Sequence, residues 1–350
     1  MSIWRWSEQL ESVPDTTRIT LGEGDTPLIR SCAIGPAAGL RNLFFKLESG
    51  NPTGSYKDRF AAAAISHMVA RGQHDCVASS SGNTGSALAA YCAAANVRCR
   101  IAIVETAPDA KLQQMMAYGA EIFRVKGFGA DASITAQVIA ALESLGQQPG
   151  HALQISAFKY SPLGMEGVET LAYELAEQCE GEPGHVFCPA GGGGLTLAVT
   201  RGLAKAKRNS AVHCVQPEGN DTIAGALRDG DEAGRDVACT TAVSGLQVAS
   251  VIDGNEVIRA CRATGGTGHL VTDESVWVAQ QRLAKEEGIF CEPAGAVALA
   301  GALNAVARRE VDQEVTIICL VTGSGFKDAD SVKKMNATDD CPLIGVGEIV

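Results

Sequence analysis

The chain has 350 residues, 46% of them hydrophobic and only 5% aromatic, with a formal net charge of −11. That length buries a sizeable core as one large α/β unit or two modest ones, and 39 glycines suit tight strand–helix turns rather than disorder. The acidic balance disfavours nucleic acid and anionic membrane surfaces as partners, and no run of 18 or more apolar residues offers a membrane span.

Met1 to Trp6 lack the apolar core of a signal peptide, which predicts a cytoplasmic protein. The twelve cysteines are scattered with no CxxC pair, and several, such as Cys99, Cys188, Cys214 and Cys319, lie in apolar runs. Buried free thiols in a reducing compartment are therefore expected. The six histidines show no ligand spacing, so no metal is expected.

In chain order, residues 1–20 read as a short amphipathic lead-in and 21–28 as a turn-rich loop. A strand over 42–48 leads into Asn51-Pro52-Thr53-Gly54-Ser55-Tyr56-Lys57-Asp58-Arg59. Asn-Pro and Thr-Gly are turn chemistry, Ser55 can serve as an N-cap, and the alanine-rich run after Phe60 favours helix. Lys57 then falls in the first helical turn, where the helix dipole disfavours a cation and an amine nucleophile is more easily obtained.

Strand and helix alternate from there: strand 75–79, loop 80–85, helix 86–95, strand 98–104, helix 109–118, strand 121–125, helix 130–145 and strand 151–155. These form a small parallel α/β unit of about 100 residues. The second half repeats the style, with helix 165–179, strand 185–189, a run of four glycines from Gly191 to Gly194, helix 195–207 and strand 212–216. Residues 228–272 are polar and weakly patterned. Helices over 274–287 and 293–307 precede the most hydrophobic strand, 315–321, and the residues after about 333 read as a tail.

In open parallel sheets, ligands sit beyond the carboxyl ends of strands. Four polar loops occupy such positions: 79–85, 190–194, 322–325 and the opening nonapeptide. Four glycines between a strand and a helix let backbone N–H groups gather on an anion. The dinucleotide alternative is weaker because Thr196 stands where its last glycine belongs, although Glu218 imitates the ribose-binding acid; no Gly-Lys-Ser/Thr follows to make a P-loop. A helix-start lysine, a phosphate cradle and hydroxyl- or amide-bearing loops together describe an aldehyde cofactor with a phosphate handle, pyridoxal 5′-phosphate.

Over residues 20–330 the sequence resembles fold type II pyridoxal-phosphate enzymes, and among them threonine synthases. The motifs are Gly22-Glu23-Gly24-Asp25-Thr26-Pro27-Leu28, the nonapeptide, residues 80–85, Lys111-Leu112 with Gln114 and Tyr118-Gly119-Ala120, Glu292-Pro293-Ala294-Gly295, and Thr322-Gly323 with Gly325 and Lys327-Asp328. The resemblance implies two open, mostly parallel α/β domains with the active site in the cleft between them. A smaller mobile domain would span 50–155, a larger cofactor-binding domain 1–49 and 156–333, and a tail 334–350; the fold usually forms homodimers.

Carried over by position, the resemblance makes Lys57 the Schiff-base lysine that also moves the α-proton. Tyr56 would lie near the cofactor ring, Asn83 would meet its 3′-oxygen, and Ser80, Ser81 and Thr84 would hold the substrate carboxylate. Gly191, Gly192, Gly193 and Gly194, with the amide of Leu195, would bind the cofactor phosphate, and Thr322 would meet the ring nitrogen. The implied reaction converts O-phospho-L-homoserine and water to L-threonine and phosphate by γ-elimination and β-addition. Two departures stand out: Gly164 occupies the place of the family's phosphate-binding arginine, for which Lys111, Lys159 or Lys327 would have to substitute, and Phe60 stands where the family has glycine. Threonine or serine dehydration, β-replacement as in cysteine or cysteate synthesis, and a non-catalytic ligand-sensing paralogue are the alternatives.

Overall fold

A computed structural model describes residues 2–80, 82–107 and 109–346, with the backbone alone for 109–111. The chain opens with β1 (Leu28–Arg30), α1 (Ile34–Ala37), β2 (Leu43–Leu47) and α2 (Lys57–Ala70). A compact run follows: β3 (Asp75–Ser79), α3 (Asn83–Ala94), β4 (Arg98–Ile103), α4 (Asp109–Ala117), β5 (Glu121–Arg124), α5 (Ala132–Gly146) and β6 (His151–Gln154). Next come α6 (Pro162–Gln178), β7 (His185–Pro189), α7 (Gly194–Lys205), β8 (Ala211–Pro217) and α8 (Ala224–Asp229). The chain ends with α9 (Gly254–Ala263), β9 (Gly268–Val271), α10 (Asp273–Glu287), α11 (Pro293–Ala307), β10 (Ile317–Val321) and α12 (Ala329–Met335).

Two sheets result, one of six strands in the order β1-β2-β10-β7-β8-β9 and one of four in the order β5-β4-β3-β6. Every pairing is parallel except β1 with β2. Near-continuous burial of β3, β7, β8 and β10 explains why these strands read as short apolar runs without alternation: helices cover both faces. The axis of the molecule is α2, buried from Asp58 to Met68 and packed against α3 and α6. Gly167 lets α6 approach it closely, since a Cβ there would lie 2.2 Å from the Arg59 carbonyl oxygen.

Several expectations need correction. Residues 21–28 are not loop throughout, because the antiparallel edge strand β1 begins at Leu28. The weakly patterned stretch 228–272 holds α9 and the edge strand β9, whose Gly268 must lack a side chain because a Cβ would sit 1.8 Å from the Ala224 carbonyl oxygen. Helix α3 begins three residues earlier than expected, at Asn83, and α6 begins at Pro162, where a proline suits the first turn. The scattered cysteines all have free thiols. Folding nevertheless brings Cys76, Cys92 and Cys99, from β3, α3 and β4, to within 4.8 Å of one another in the apolar core.

Candidate active site

The nonapeptide folds as a scaffold for one side chain. Gly54 turns the chain with φ +90°, and the buried Asp58 carboxylate accepts the Thr53 N–H and hydroxyl, closing the turn against the helix start. Burial pushes Asp58 up to about 7 against those bonds. Tyr56, not Ser55, holds the N-cap position, and Ser55 instead accepts the Lys57 N–H at 3.4 Å. Arg59 is fully buried and donates to both oxygens of Glu48 and both of Glu174 at 2.7–2.8 Å. Asn51 joins the same network through Gly24 and Glu48. The residues around Lys57 are thus locked to the turn after β2, to α6 and to the 22–27 loop.

Lys57 emerges from this frame into a cleft of about 490 Å³ between the two sheets. Its Nζ donates to Ser156 Oγ at 2.7 Å and lies 4.6 Å from the Tyr56 ring centroid. Across the cleft, β7 runs into the glycine loop and α7. Gly193 occupies the left-handed N-cap with φ +94°, and a Cβ there would fall 2.7 Å from Val257 Cγ2. The carbonyls of Gly191 and Gly192 are tied back by Gln216 Nε2 and the Asp253 N–H, both at 3.1 Å. Among the described residues, none accepts the N–H of Gly192, Gly193, Gly194 or Leu195. Four backbone donors at a helix N-terminus, opposite a primary amine, fit the phosphate and aldehyde of pyridoxal phosphate, and the cleft has ligand-site dimensions.

The remaining predicted residues meet the same cleft. Tyr56, Ser80, Asn83, Thr84, Leu195 and Thr322 all line it, as do the four glycines; Ser81 lies outside the described residues, as does the Lys111 side chain. Thr322 directly follows β10, and its carbonyl accepts the Tyr56 N–H at 3.1 Å, so the lysine turn and the end of the last strand are fastened together. Asn83 stands in the first turn of α3 and donates through Nδ2 to Glu292 Oε1 at 2.6 Å.

Sequence reasoning assigned no role to Ser156, Asp253, Glu292 or Gln114. Asp253 clamps two walls of the cleft: its N–H holds Gly192, while its carboxylate accepts the N–H groups of Phe158 and Lys159. Its burial raises its pKa, and those two N–H bonds oppose the rise. Glu292 was visible only as part of a motif. No local pattern marks Ser156.

A family model for pyridoxal-phosphate dependent enzymes matches residues 19–323. The threonine synthase of Methanocaldococcus jannaschii is 29% identical over 95% of this chain and 82% of its own length. That of a Synechocystis species is 32% identical over 94% of this chain and 85% of its own. Among solved structures, the processed form of threonine deaminase isoform 2 from Solanum lycopersicum superposes with a TM-score of 0.76 at 20% identity, covering 97% of this chain and 94% of that one. An L-serine ammonia-lyase from Rhizomucor miehei gives a TM-score of 0.76 at 20% identity, covering 90% and 98%. With its lysine and glycine cradle facing one cleft and its fold matched end to end, the chain belongs to the pyridoxal-phosphate dependent enzyme family and is a lyase with that cofactor.

Proposed function

We propose that the protein is a threonine synthase-like lyase that converts O-phospho-L-homoserine and water to L-threonine and phosphate. The observation that carries this reading is the cleft in which Lys57 faces the glycine loop, in a chain similar over 94–95% of its length to threonine synthases. Bound pyridoxal phosphate supplies an aldehyde that condenses with amines and a ring that disperses the electron pair left at a substrate carbon.

The chain's own residues have separable tasks. Gly191, Gly192, Gly193, Gly194 and Leu195 would hold the cofactor phosphate with backbone N–H groups, and Lys57 would hold its aldehyde. With the cofactor bound, the Lys57 amine would move the α-proton, with Ser156 Oγ as the acceptor that aims it. Ser80, Ser81 and Thr84 would bind the substrate carboxylate. Asn83 would meet the cofactor's 3′-oxygen, Tyr56 would flank the ring, and Thr322 would meet its nitrogen. In the same proposal residues 50–155 move against 1–49 and 156–333, and the protein is a cytoplasmic homodimer.

Dehydration of threonine or serine is the second reading, and Gly164 favours it: that position is buried against Phe60 and supplies no cation to the cleft. Phosphate release from O-phospho-L-homoserine, measured beside 2-oxo-acid formation from threonine and serine, separates the two. A predominance of 2-oxo acid refutes the synthase reading. Lys57→Ala should abolish both activities and the visible absorption of bound cofactor.

A further inference from the structure

A phosphorylated amino acid is anionic at both ends. The loop at the start of α3 answers the carboxylate, which leaves the phosphate without a charged partner. Position 164 cannot provide one. A Cβ on Gly164 would lie 2.6 Å from Phe60 Cε2 and 3.0 Å from Ala64 Cβ, and neither Gly164 nor Phe60 lines the cleft. Lys159 is exposed, with its ammonium 5.2 Å from the Tyr160 ring centroid, and it too lies outside the lining.

Lys327 differs on each count. It and Lys57 are the two lysines among the described residues that line the cleft, and no arginine does. Its Nζ donates to Gln114 Oε1 at 2.6 Å, a neutral acceptor, and no carboxylate among the described residues lies within 4.0 Å of it. Gln114 is itself held: its Nε2 donates to the Thr53 carbonyl at 3.2 Å, which fixes the amide with its oxygen toward the lysine. Gly54 makes room for the lysine stem, since a Cβ there would come 3.2 Å from Lys327 Cε. Burial pulls the ammonium's pKa down, and the more distant charges of Glu292 and Asp58 only partly restore it. The cleft therefore contains a desolvated cation with no carboxylate close to it among the described residues, on the loop that follows β10.

We infer that Lys327, oriented by Gln114, binds the distal anionic group of the substrate and so selects amino acids bearing a phosphate ester over those bearing a hydroxyl. This rests on the synthase reading. When the carbon–oxygen bond breaks, its electron pair stays on the departing phosphate, and the fixed ammonium offsets that added charge with no further proton or co-reactant.

Holoenzyme of the wild type, Lys327→Met, Lys327→Arg and Gln114→Leu would be titrated with two non-reacting or slow ligands, followed by the cofactor's visible absorption. One is the phosphonate in which methylene replaces the ester oxygen of O-phospho-L-homoserine; the other is L-homoserine. Lys327→Met should weaken the phosphonate about ten- to hundredfold, as expected for loss of a charged hydrogen bond, and leave L-homoserine within about twofold. Lys327→Arg should retain most of the affinity, and Gln114→Leu should lose a smaller part of it. Equal weakening of both ligands would make Lys327 a structural residue and overturn the assignment, as would an unchanged phosphonate affinity. If Lys327→Met does not fold, Gln114→Leu alone decides: selective loss of the phosphonate supports the assignment, and no selective loss refutes it. A wild type that binds the phosphonate no better than L-homoserine refutes the synthase reading itself, and that result is seen before any substitution is made.

Discussion

Replacing Arg59 by methionine tests how the frame around Lys57 is held. The guanidinium is fully buried and makes bonds of 2.7–2.8 Å to all four oxygens of Glu48 and Glu174, plus one of 3.0 Å to Thr170 Oγ1. Methionine fills much of the same volume but removes every donor. Lys46 Nζ, 2.7 Å from Glu174 Oε2, would be the one ammonium or guanidinium left bonded to the pair among the described residues, beside the neutral donors Thr26 and Asn51 to Glu48 and the Asp25 and Thr26 N–H groups to Glu174. Removing one partner of a buried pair costs about 3–5 kcal/mol. At about 2.1 cal/mol/K per residue, a chain of this length unfolds with an entropy of roughly 0.7 kcal/mol/K, so the melting temperature should fall by about 4–7 °C.

The pH dependence sharpens this test. Burial pushes both carboxyls up, and Arg59 more than reverses that push, leaving Glu174 at about 2 and Glu48 below the ordinary range. Groups whose folded pKa is depressed stabilise fully above their unfolded value near 4.5 and lose that contribution as pH falls toward 2. In Arg59→Met the upward push of burial is opposed chiefly by Lys46, so acid relieves much of the under-compensated charge, and the gap to wild type should narrow between pH 7 and pH 4. Thermal melts by circular dichroism at both pH values measure it. A gap under about 2 °C at pH 7, or one independent of pH, would refute the assigned role.

Asp58 should act in the opposite sense. Its folded pKa, raised to about 7 by burial, makes its contribution complete below pH 3.8 and lost as pH rises through 7, so Asp58→Asn should flatten the melting-temperature profile between those limits. Gly193→Ala forces a side chain into φ +94° and against Val257, at a cost of about 1–3 kcal/mol, and should release cofactor during gel filtration. Gly164→Arg should destabilise by more than about 3 kcal/mol through overpacking, and adding Phe60→Gly should recover at least about 1 kcal/mol of that loss; strict additivity in denaturant melts would show that the two positions do not share space.

What the sequence revealed of the site followed chain distance. The lysine turn and the glycine loop could be read because each is local: turn residues beside a helix former, and glycines between an apolar strand and a helix. The groups that aim these elements come from far away. Lys57 meets Ser156 across 99 positions, Asn83 meets Glu292 across 209, and Lys327 meets Gln114 across 213. No periodicity encodes such pairs. The start of α3 was misplaced because Asn83, Thr84 and Gly85 are poor helix formers ahead of an alanine-rich stretch, and the site puts them in the first turn regardless. The edge elements were missed for another reason: β1 has three residues and β9 four, too few for alternation to register.

Gly164 and Phe60 illustrate what a one-dimensional reading does to a coupled pair. Taken singly, the first is a lost cation and the second is added bulk near the site. In three dimensions they face each other across the α2–α6 contact, and the Phe60 ring fills the space that a glycine at 164 leaves open. Against the arginine and glycine that the resemblance leads one to expect, this pair keeps the helices packed and puts no charge on that wall. It changes where charge can be supplied. With the Phe60 ring packed against α6, the proposed phosphate-bearing substrate would be met from another wall, between α4 and the loop after β10, where Lys327 stands beside Gln114. On that proposal the choice between synthase and dehydratase turns on the β10 loop as well as on Gly164.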